Sequence, residues 1–406
     1  MAEVKWNNLL KRAWEDFYKK KKAIGEDKKL YIKEFAENSN KNLKIITKIL
    51  QKKAYNFGKW KAKLIKKKDR GARPIIIPWP INDKILLKAL SEYLTGELSK
   101  VFDSVNSVSF AYQKGKSSRD ALLQLKNIHK PGNVLLKIDI KHFFDEIDKT
   151  LLLKLLNNYK INDYVKDLVV KSLTPNVDYS DIQKEDLEKF PKEGIPQGNP
   201  ISAVLSNLYL YELDRLAIDK GWKMVRYADD MVFTVTSEEE AHLVLSEVET
   251  YLSKNRNLRI HPLEHNSDSK TAIYVNPKKN KMMYLGVNFD GQKLLPTDEC
   301  SSLLMKKIDR IIKDSDVSID KEKLITSVIS QWCGYYAFTN ISSSYIKRIN
   351  NQINYKIKKF KLPILEVDIN ETLSKIRKRQ NSKFMRWLSS NKKDFADWLN
   401  FYEEEY

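Results

Sequence analysis

The sequence contains little cysteine, glycine or proline. Its 406 residues include two cysteines, 12 glycines and 12 prolines. Cys300 and Cys333 lie far apart and lack the spacing of metal ligands, which argues against both a zinc cluster and a disulfide framework. We therefore expect a protein of the reducing cytoplasm whose core is held together by packed apolar side chains.

Long apolar runs are missing too. No uninterrupted apolar stretch reaches the roughly 20 residues that a membrane-spanning helix needs. Residues 1–6 lack the apolar centre of a signal peptide. The sequence predicts a soluble, intracellular protein without a membrane partner.

Basic residues, in contrast, are abundant. Lysine and arginine total 73 against 53 acidic residues, giving a formal charge of +20 and a pI near 9.4. Such an excess is typical of proteins that neutralise phosphates. Aromatic residues alternate with cations in residues 52–61, a combination that holds unpaired bases. Because Asn, Ile and Lys are all common, a low-GC genome is the alternative explanation of the charge.

Two adjacent acids, Asp229 and Asp230, lie between the strand-like runs 222–226 and 231–235. Neighbouring side chains of a strand point to opposite faces, so only a hairpin tip brings both carboxylates near one pair of cations. The alternative is a solvated turn. The pair is therefore a candidate metal site that needs a further ligand.

Asp139 supplies that ligand, about 90 residues upstream, at the end of the apolar strand pattern 133–139. Carboxylates from different strands hold the two Mg²⁺ ions of enzymes that perform in-line displacement at phosphorus. The alternative role for Asp139 is capping a helix over residues 141–157, and both roles are compatible.

A loop rich in glycine and proline, residues 194–202, precedes a helical pattern over residues 203–217. In such a loop the backbone can approach a ligand closely, and Gln197 offers both a donor and an acceptor. This suits contact with a nucleotide. A plain connection into a helix, with Pro200 in its first turn, is the alternative.

In this order the segments resemble the palm motifs of prokaryotic reverse transcriptases, the class that includes group II intron, retron and phage-defence enzymes. The resemblance extends over about residues 10–290. The segments that carry it are 73–78 with 82–84, 109–117, 139–145, 196–198, 226–230, 270–271 and 284–286.

The resemblance implies a role for each acid. Asp139 and Asp229 bridge two Mg²⁺ ions, with Mn²⁺ as the alternative metal, and Asp230 is a weaker ligand. The carbonyl of Ile140 completes the coordination. Phe144 stands where the family carries a steric gate that excludes a 2′-hydroxyl, which favours deoxynucleotides; the alternative is a core phenylalanine.

The resemblance also implies nucleotide and primer contacts. Arg73 stacks on the incoming base and holds the triphosphate, because its planar fork suits phosphate oxygens. Lys67 supplies a second phosphate contact, and Gln197 lies against the sugar and base. The residues implied for the primer grip and nucleic-acid contact are Lys270, Leu285 and Gly286.

The implied fold class is α+β, a right-hand polymerase with fingers, an antiparallel palm sheet and an α-helical thumb. Helical periodicity over residues 301–313, 321–338, 343–361 and 369–388 fits the thumb. The expected domains are an N-terminal helical extension (1–60), fingers (61–132), palm (133–290, with a surface insertion at 174–192) and thumb with C-terminal region (291–406).

Departures from the family pattern indicate a divergent branch. Asn199 and Ala203 replace the usual residues after Pro-Gln-Gly, no endonuclease signature follows, and residues 284–286 differ from the retron motif. By elimination the sequence favours a defence-associated reverse transcriptase that copies a dedicated noncoding RNA into DNA from dNTPs, as a homo-oligomer or with an accessory defence protein. The alternatives are an intron-type maturase, an RNA-synthesising, template-independent or protein-primed polymerase, and a silent RNA-binding scaffold.

Overall fold

The chain forms two units built around separate β-sheets. One unit comprises the described parts of residues 1–128 and 132–275, and the other those of residues 129–131 and 276–406. The structure is a computed structural model that describes residues 4–23, 29–66, 71–264, 269–313, 321–360 and 368–390.

A four-stranded antiparallel sheet is the centre of the first unit, with strand order β5-β6-β3-β7. Every residue of β3 is buried, and helix α11 (Glu238–Arg256) packs against β3 and β6. This burial explains why β3 is a nearly continuous apolar run. The strands are β3 (Val134–Asp139), β5 (Lys223–Tyr227), β6 (Asp230–Val235) and β7 (Ala272–Tyr274).

A smaller sheet in the same unit has the order β2-β1-β4. β1 (Trp60–Lys66) and β2 (Ala72–Ile77) form an antiparallel hairpin, and β4 (Val177–Asp178) joins β1 in parallel. β4 belongs to the predicted insertion at residues 174–192, which also contains a 3₁₀ helix, Lys184–Lys189. The insertion is therefore tied to the β1–β2 hairpin through β4.

Helix α10 (Pro200–Asp219) passes through the core of the first unit and is buried along most of its length. Asn199 caps it, accepting a hydrogen bond from the Ile201 amide at 3.1 Å, and Pro200 occupies its first turn. The other helices of this unit are α1 (Trp6–Ala23), α2 (Leu30–Glu37), α3 (Ser39–Gln51), α4 (Ile81–Glu97), α5 (Ser99–Asp103), α6 (Ser118–Ile128), α7 (Phe143–Glu146), α8 (Lys149–Asn157) and α9 (Asp163–Leu173).

The helix expected over residues 141–157 is in fact two helices, α7 and α8. The cap of α8 is Asp148, whose carboxylate accepts a hydrogen bond from the Leu151 amide at 3.0 Å. The capping role considered for Asp139 is therefore wrong. Asp139 ends β3, and its carboxylate is paired elsewhere.

The aromatic residues of the 52–61 segment are core residues and not a surface for bases. Tyr55 and Trp60 are buried, and both donate to the buried carboxylate of Asp83, at 2.7 and 3.1 Å. The Gly58 amide donates to the same carboxylate at 2.9 Å. The expectation that this segment stacks on unpaired bases was wrong, because alternating charge says nothing about which side chains point inward.

The second unit combines a three-stranded antiparallel sheet with four helices. Its sheet order is β10-β9-β8. Isoleucines at three- and four-residue spacing give α14 one buried face. All four helices predicted for this region are confirmed. The elements are β8 (Met282–Tyr284), β9 (Val287–Phe289), β10 (Leu294–Pro296), α12 (Asp298–Lys313), α13 (Lys321–Tyr336), α14 (Ser343–Lys359) and α15 (Ile369–Ser390).

Within the described ranges, none of these helices is both long enough and apolar enough to cross a membrane.

Candidate active site

The acid pair lies at a two-residue hairpin turn, as the sequence predicted. Tyr227 and Asp230 form the last pair between β5 and β6, leaving Ala228 and Asp229 in the turn. Ala228 has a φ of 60°, the left-handed region that such tight turns require. Ala228 is buried and both acids are only partly exposed, so the turn is not the fully solvated loop tip that was the alternative.

A buried arginine holds this turn in place. The side chain of Arg226 is 1% exposed and forms a bidentate pair with Asp214 of α10, at 2.6 and 2.5 Å. The same guanidinium donates to the carbonyl of Ala228 at 2.8 Å. It also donates to Ser109 Oγ at 2.9 Å and Asn207 Oδ1 at 3.2 Å. The acid turn is thus hydrogen-bonded to the core helix through one side chain.

Asp139 lies directly opposite Asp230 on the neighbouring antiparallel strand. Directly paired residues share one face of a sheet, with Cβ atoms about 4.5–5.5 Å apart. The Ile140 amide donates to the Asp229 carbonyl at 3.4 Å, so the end of β3 also contacts the turn. Three carboxylates therefore meet at one end of the central sheet, with Ile140 beside them.

Burial and neighbouring charge make Asp229 and Asp230 hard to ionise. Burial raises the pKa of Asp230 to about 7; the charges of Asp139 and Asp229 also raise it, whereas Lys137 lowers it. Burial, followed by the charge of Asp139, raises the pKa of Asp229 as well. A positive charge placed among the three acids relieves this repulsion.

Lys270 provides one such charge. Its Nζ lies 2.6 Å from Asp139 Oδ2. The Asp139 amide donates to Thr271 Oγ1 at 3.4 Å, and His261 Nε2 is 4.0 Å from the same carboxylate. The sequence assigned Lys270 to contact with nucleic acid, and the structure places it against the first acid.

The chemistry of the acid cluster fits a divalent cation. Oxygen ligands are those that Mg²⁺ and Mn²⁺ prefer, and three carboxylates come together at the paired ends of β3 and β6. Asp139, Asp229 and Asp230 would hold the metal. In the arrangement seen, no three Asp, Glu, His or Cys side chains of the described residues are spaced to close around an ion.

The loop that carries Gln197 lies between β2 and α7 and contacts both. The Ile76 amide donates to the Gln197 carbonyl at 2.7 Å, and a Cβ at Gly198 would lie 2.7 Å from the Ile76 carbonyl oxygen. The Gln197 side chain donates to Asp145 at 2.9 Å. Both Gly198 and the carboxylate of Asp145 therefore fix the position of Gln197.

Arg73 is near the acids. Its charge lowers the pKa of Asp229, against the larger effects of burial and Asp139 that raise it. Tyr112 shares this neighbourhood: burial, then the charge of Asp229, raises the pKa of its hydroxyl. Lys67, the second predicted phosphate contact, lies outside the described residues.

Phe144 is half-buried beside the fully buried Phe143, with ring centroids 5.3 Å apart. It is therefore not simply a core residue. Its carbonyl accepts a hydrogen bond from the Ile195 amide at 2.8 Å, which joins α7 to the Gln197 loop. Phe144 and Gln197 thus belong to one connected region.

Leu285 and Gly286 form the turn between β8 and β9 in the second unit. Both have positive φ, 49° and 75°. The Tyr335 hydroxyl donates to the Leu285 carbonyl at 2.6 Å, and the Tyr336 hydroxyl to the Gly286 carbonyl at 3.4 Å. The assignment of this turn to a primer grip stays a prediction.

Sequence reasoning missed several residues that support the site. Arg226 and Asp214 are charged residues in apolar patterns, and this was the available signal. Lys137 is another: it lies two residues before Asp139, on the same face of β3, and is buried. A charge inside an otherwise buried strand or helix requires a partner, so each predicted a nearby group of opposite charge.

Taken together, an antiparallel sheet ending in three acids, with a tight glycine loop beside it, defines a nucleotidyl-transfer polymerase palm. The sequence pattern described as "Reverse transcriptase (RNA-dependent DNA polymerase)" matches residues 65–289. The chain belongs to the reverse transcriptase family. The predicted α+β fold class of a right-hand polymerase is confirmed.

Individual relatives agree with this family. The chain is 25% identical over 236 residues to the group II intron-encoded protein LtrA of Lactococcus lactis subsp. cremoris, covering 57% of this chain and 36% of that protein. It is 24% identical to a putative COX1/OXI3 intron 1 protein of Saccharomyces cerevisiae, and the match covers 70% of this chain and 32% of that protein. The retron Ec83 reverse transcriptase of Escherichia coli is 25% identical to this chain, and the match covers 50% of this chain and 61% of that enzyme.

The chain thus spans about a third of the length of the two intron proteins. Among solved structures, telomerase from Candida albicans aligns over 84% of this chain and 65% of that chain, with 12% identity and a TM-score of 0.46.

Replacing Arg226 tests the support of the acid turn. Arg226→Lys removes the bidentate pair and leaves Asp214 buried with an imperfect partner, so we expect the free energy of unfolding to fall by about 3 kcal/mol or more. Urea denaturation measures it. The matched control is Arg215→Lys, because Arg215 forms an exposed pair with Asp219 at 3.4 Å on the same helix; its loss should cost less than about 0.5 kcal/mol. Equal effects of the two substitutions would contradict this role.

The raised pKa of Asp230 predicts a pH-dependent stability. Because burial raises this pKa to about 7, the folded protein holds a proton that the unfolded chain releases near pH 4, so stability falls as pH rises towards 7. In chelating buffer Asp230→Asn should therefore have a higher free energy of unfolding than the parent. The difference between the two proteins should grow between pH 5 and pH 7 and stay constant above pH 7. An advantage that does not change with pH would show that Asp230 titrates normally.

Proposed function

We propose that this protein is an RNA-directed DNA polymerase that adds deoxynucleotides to a primer strand. The observation that carries the proposal is the meeting of Asp139, Asp229 and Asp230 at one end of the sheet, inside the segment that matches the family. A binding protein has no need of three neighbouring carboxylates that repel each other. The repulsion between these carboxylates destabilises the fold, and a role in metal binding explains why they are present.

Asp139, Asp229 and Asp230 would hold two Mg²⁺ ions, which when bound would supply activation of the primer's 3′-hydroxyl and charge stabilisation of the leaving pyrophosphate. Arg73 holds the triphosphate, which its exposed position on β2 and its proximity to Asp229 support. Gln197, fixed by Asp145, lies against the sugar and base. Lys270 neutralises the carboxylate of Asp139, which its ammonium group contacts at 2.6 Å.

We further propose that the template is a dedicated noncoding RNA and that the setting is antiphage defence. The proposal is supported by the net charge of +20, by the RNA-directed family and by residues 284–286, which differ from the retron motif. An intron-type enzyme is the second candidate, favoured by the similarity to LtrA. Sequencing the nucleic acid that copurifies with the protein from its host separates the two: intron RNA would contradict the first.

A primer-extension assay tests the activity. Purified protein, a DNA primer on an RNA template and dNTPs should give Mg²⁺-dependent extension, and Asp229→Asn should abolish it while RNA affinity stays unchanged, because only the metal cage is altered. The matched control is Asp219→Asn, an exposed acid at the end of α10, which should extend normally. A wild-type protein that binds RNA but never incorporates nucleotides would indicate an RNA-binding scaffold.

The half-buried ring of Phe144 predicts sugar discrimination. Phe144→Ala opens space beneath the sugar, so ribonucleotide incorporation relative to deoxynucleotide incorporation should rise at least about tenfold, a change of roughly 1.4 kcal/mol in transition-state discrimination. Phe144→Tyr keeps the ring and is the matched control. The gate assignment fails if the alanine variant discriminates between the sugars as well as the parent does.

A further inference from the structure

An exposed tryptophan surrounded by lysines lies on the first unit. The indole of Trp79 is 47% exposed. Lys61 Nζ lies 4.5 Å from its ring centroid, Lys84 Nζ 5.3 Å and Lys63 Nζ 5.7 Å. Lys84 also lies 4.8 Å from the ring of Tyr31, itself 37% exposed. These five residues are called the Trp79 surface.

The backbone that carries Trp79 is held in place before any ligand binds. Trp79 stands between Pro78, which is buried, and Pro80, which caps α4. The first turn of α4 contains the buried Asp83, whose hydrogen bonds tie it to the Tyr55–Trp60 segment. Presenting the indole to a ligand therefore costs little conformational entropy.

The positive charge of the Trp79 surface favours binding of a polyanion. Three ammonium groups around one ring repel each other, and phosphates relieve that repulsion. Lys61 is also paired with Asp181 at 3.2 Å, but both groups reach solvent, and an exposed ion pair contributes little and exchanges readily for a phosphate. Flat aromatic faces beside cations are the combination that holds unpaired bases.

The Trp79 surface is continuous with the candidate active site. Arg73 pairs with Ile65 across the β1–β2 hairpin, and Lys63 and Lys61 follow on the same face at two-residue steps. At about 3.4 Å per residue, Lys61 lies about 14 Å along the strand from Arg73. One strand of nucleic acid can therefore contact Arg73 and Trp79 together.

We propose that the Trp79 surface binds unpaired RNA, the part of the template strand that continues beyond the primer duplex, by stacking a base on Trp79 and pairing phosphates with the lysines. The proposal rests on the proposed polymerase activity. No residue of the acid cluster belongs to the Trp79 surface. Binding there adds to substrate affinity and leaves the chemistry of nucleotide addition unchanged.

The test compares two primer–templates, one whose RNA extends a single nucleotide beyond the primer and one with an unpaired tail of about 12 nucleotides. Wild-type protein should bind the long-tailed substrate about tenfold or more tightly than the short one, by fluorescence anisotropy. Trp79→Ala should abolish that gain, and Trp79→Phe should keep most of it. Single-nucleotide addition on the short substrate should be the same in all three proteins.

Lysine variants separate charge from stacking. Lys63→Gln should lower the salt dependence of long-tail binding by about 0.7 in the slope of log affinity against log salt. The matched control is Lys220→Gln, because Lys220 lies 5.4 Å from the Trp222 ring in a similar contact elsewhere on the same unit. That variant should bind both substrates like the parent.

The proposal is overturned if Trp79→Ala binds the long tail as the parent does, or weakens both substrates equally. A wild-type protein that extends primers without any preference for the long tail overturns it too, while leaving the polymerase activity intact. Absence of extension together with a tail preference would instead contradict the proposed activity. Thermal melting of each variant confirms that it is folded.

Discussion

The arrangement of the active site depends on one buried ion pair. Arg226 precedes the acid turn by two residues, and its guanidinium joins Asp214 in the core helix to the carbonyl of Ala228 in the turn. All the strong donors of this side chain are used, which compensates for removing two charges from water. The pair sets the position of the turn against the sheet and the core helix, so the site inherits the rigidity of α10. A loop that carries repelling acids needs such an anchor, because crowding the carboxylates opposes folding of the turn.

The local elements of this fold were predictable from the sequence. Apolar patterns located the strand that ends in Asp139, the two strands beside the acid pair and the four helices of the second unit, because each element depends on neighbouring residues alone. Strand pairing was not predictable in this way: nothing local places Asp139 directly opposite Asp230. The sequence also did not show which aromatic side chains point into the core and which point to solvent. The aromatic residues of the 52–61 segment looked like a nucleic-acid surface but are buried around Asp83, whereas Trp79, which no pattern singled out, is exposed.

One departure from the family pattern has a local structural explanation. Asn199 caps α10, and its amide also donates to the Ser172 carbonyl at 3.1 Å. Its side chain therefore satisfies two backbone groups between α9 and α10, a packing role that carries no information on template or biological setting.

Gln197, in contrast, has a role in the proposed nucleotide site. Its backbone is held by β2 and its side chain by Asp145, so contacts within the protein already order this residue. This preorganisation lowers the cost of binding.

The central claim is that the Arg226–Asp214 pair holds the acids in the positions that bind metal. Titrating Mn²⁺ into wild-type protein, Arg226→Lys and the control Arg215→Lys, with bound ion followed by electron paramagnetic resonance at a temperature where all three are folded, tests it most directly. The account predicts that Arg226→Lys binds Mn²⁺ at least about tenfold more weakly than the other two, the usual effect of removing a residue that orients metal ligands. Equal affinity in all three proteins would contradict it.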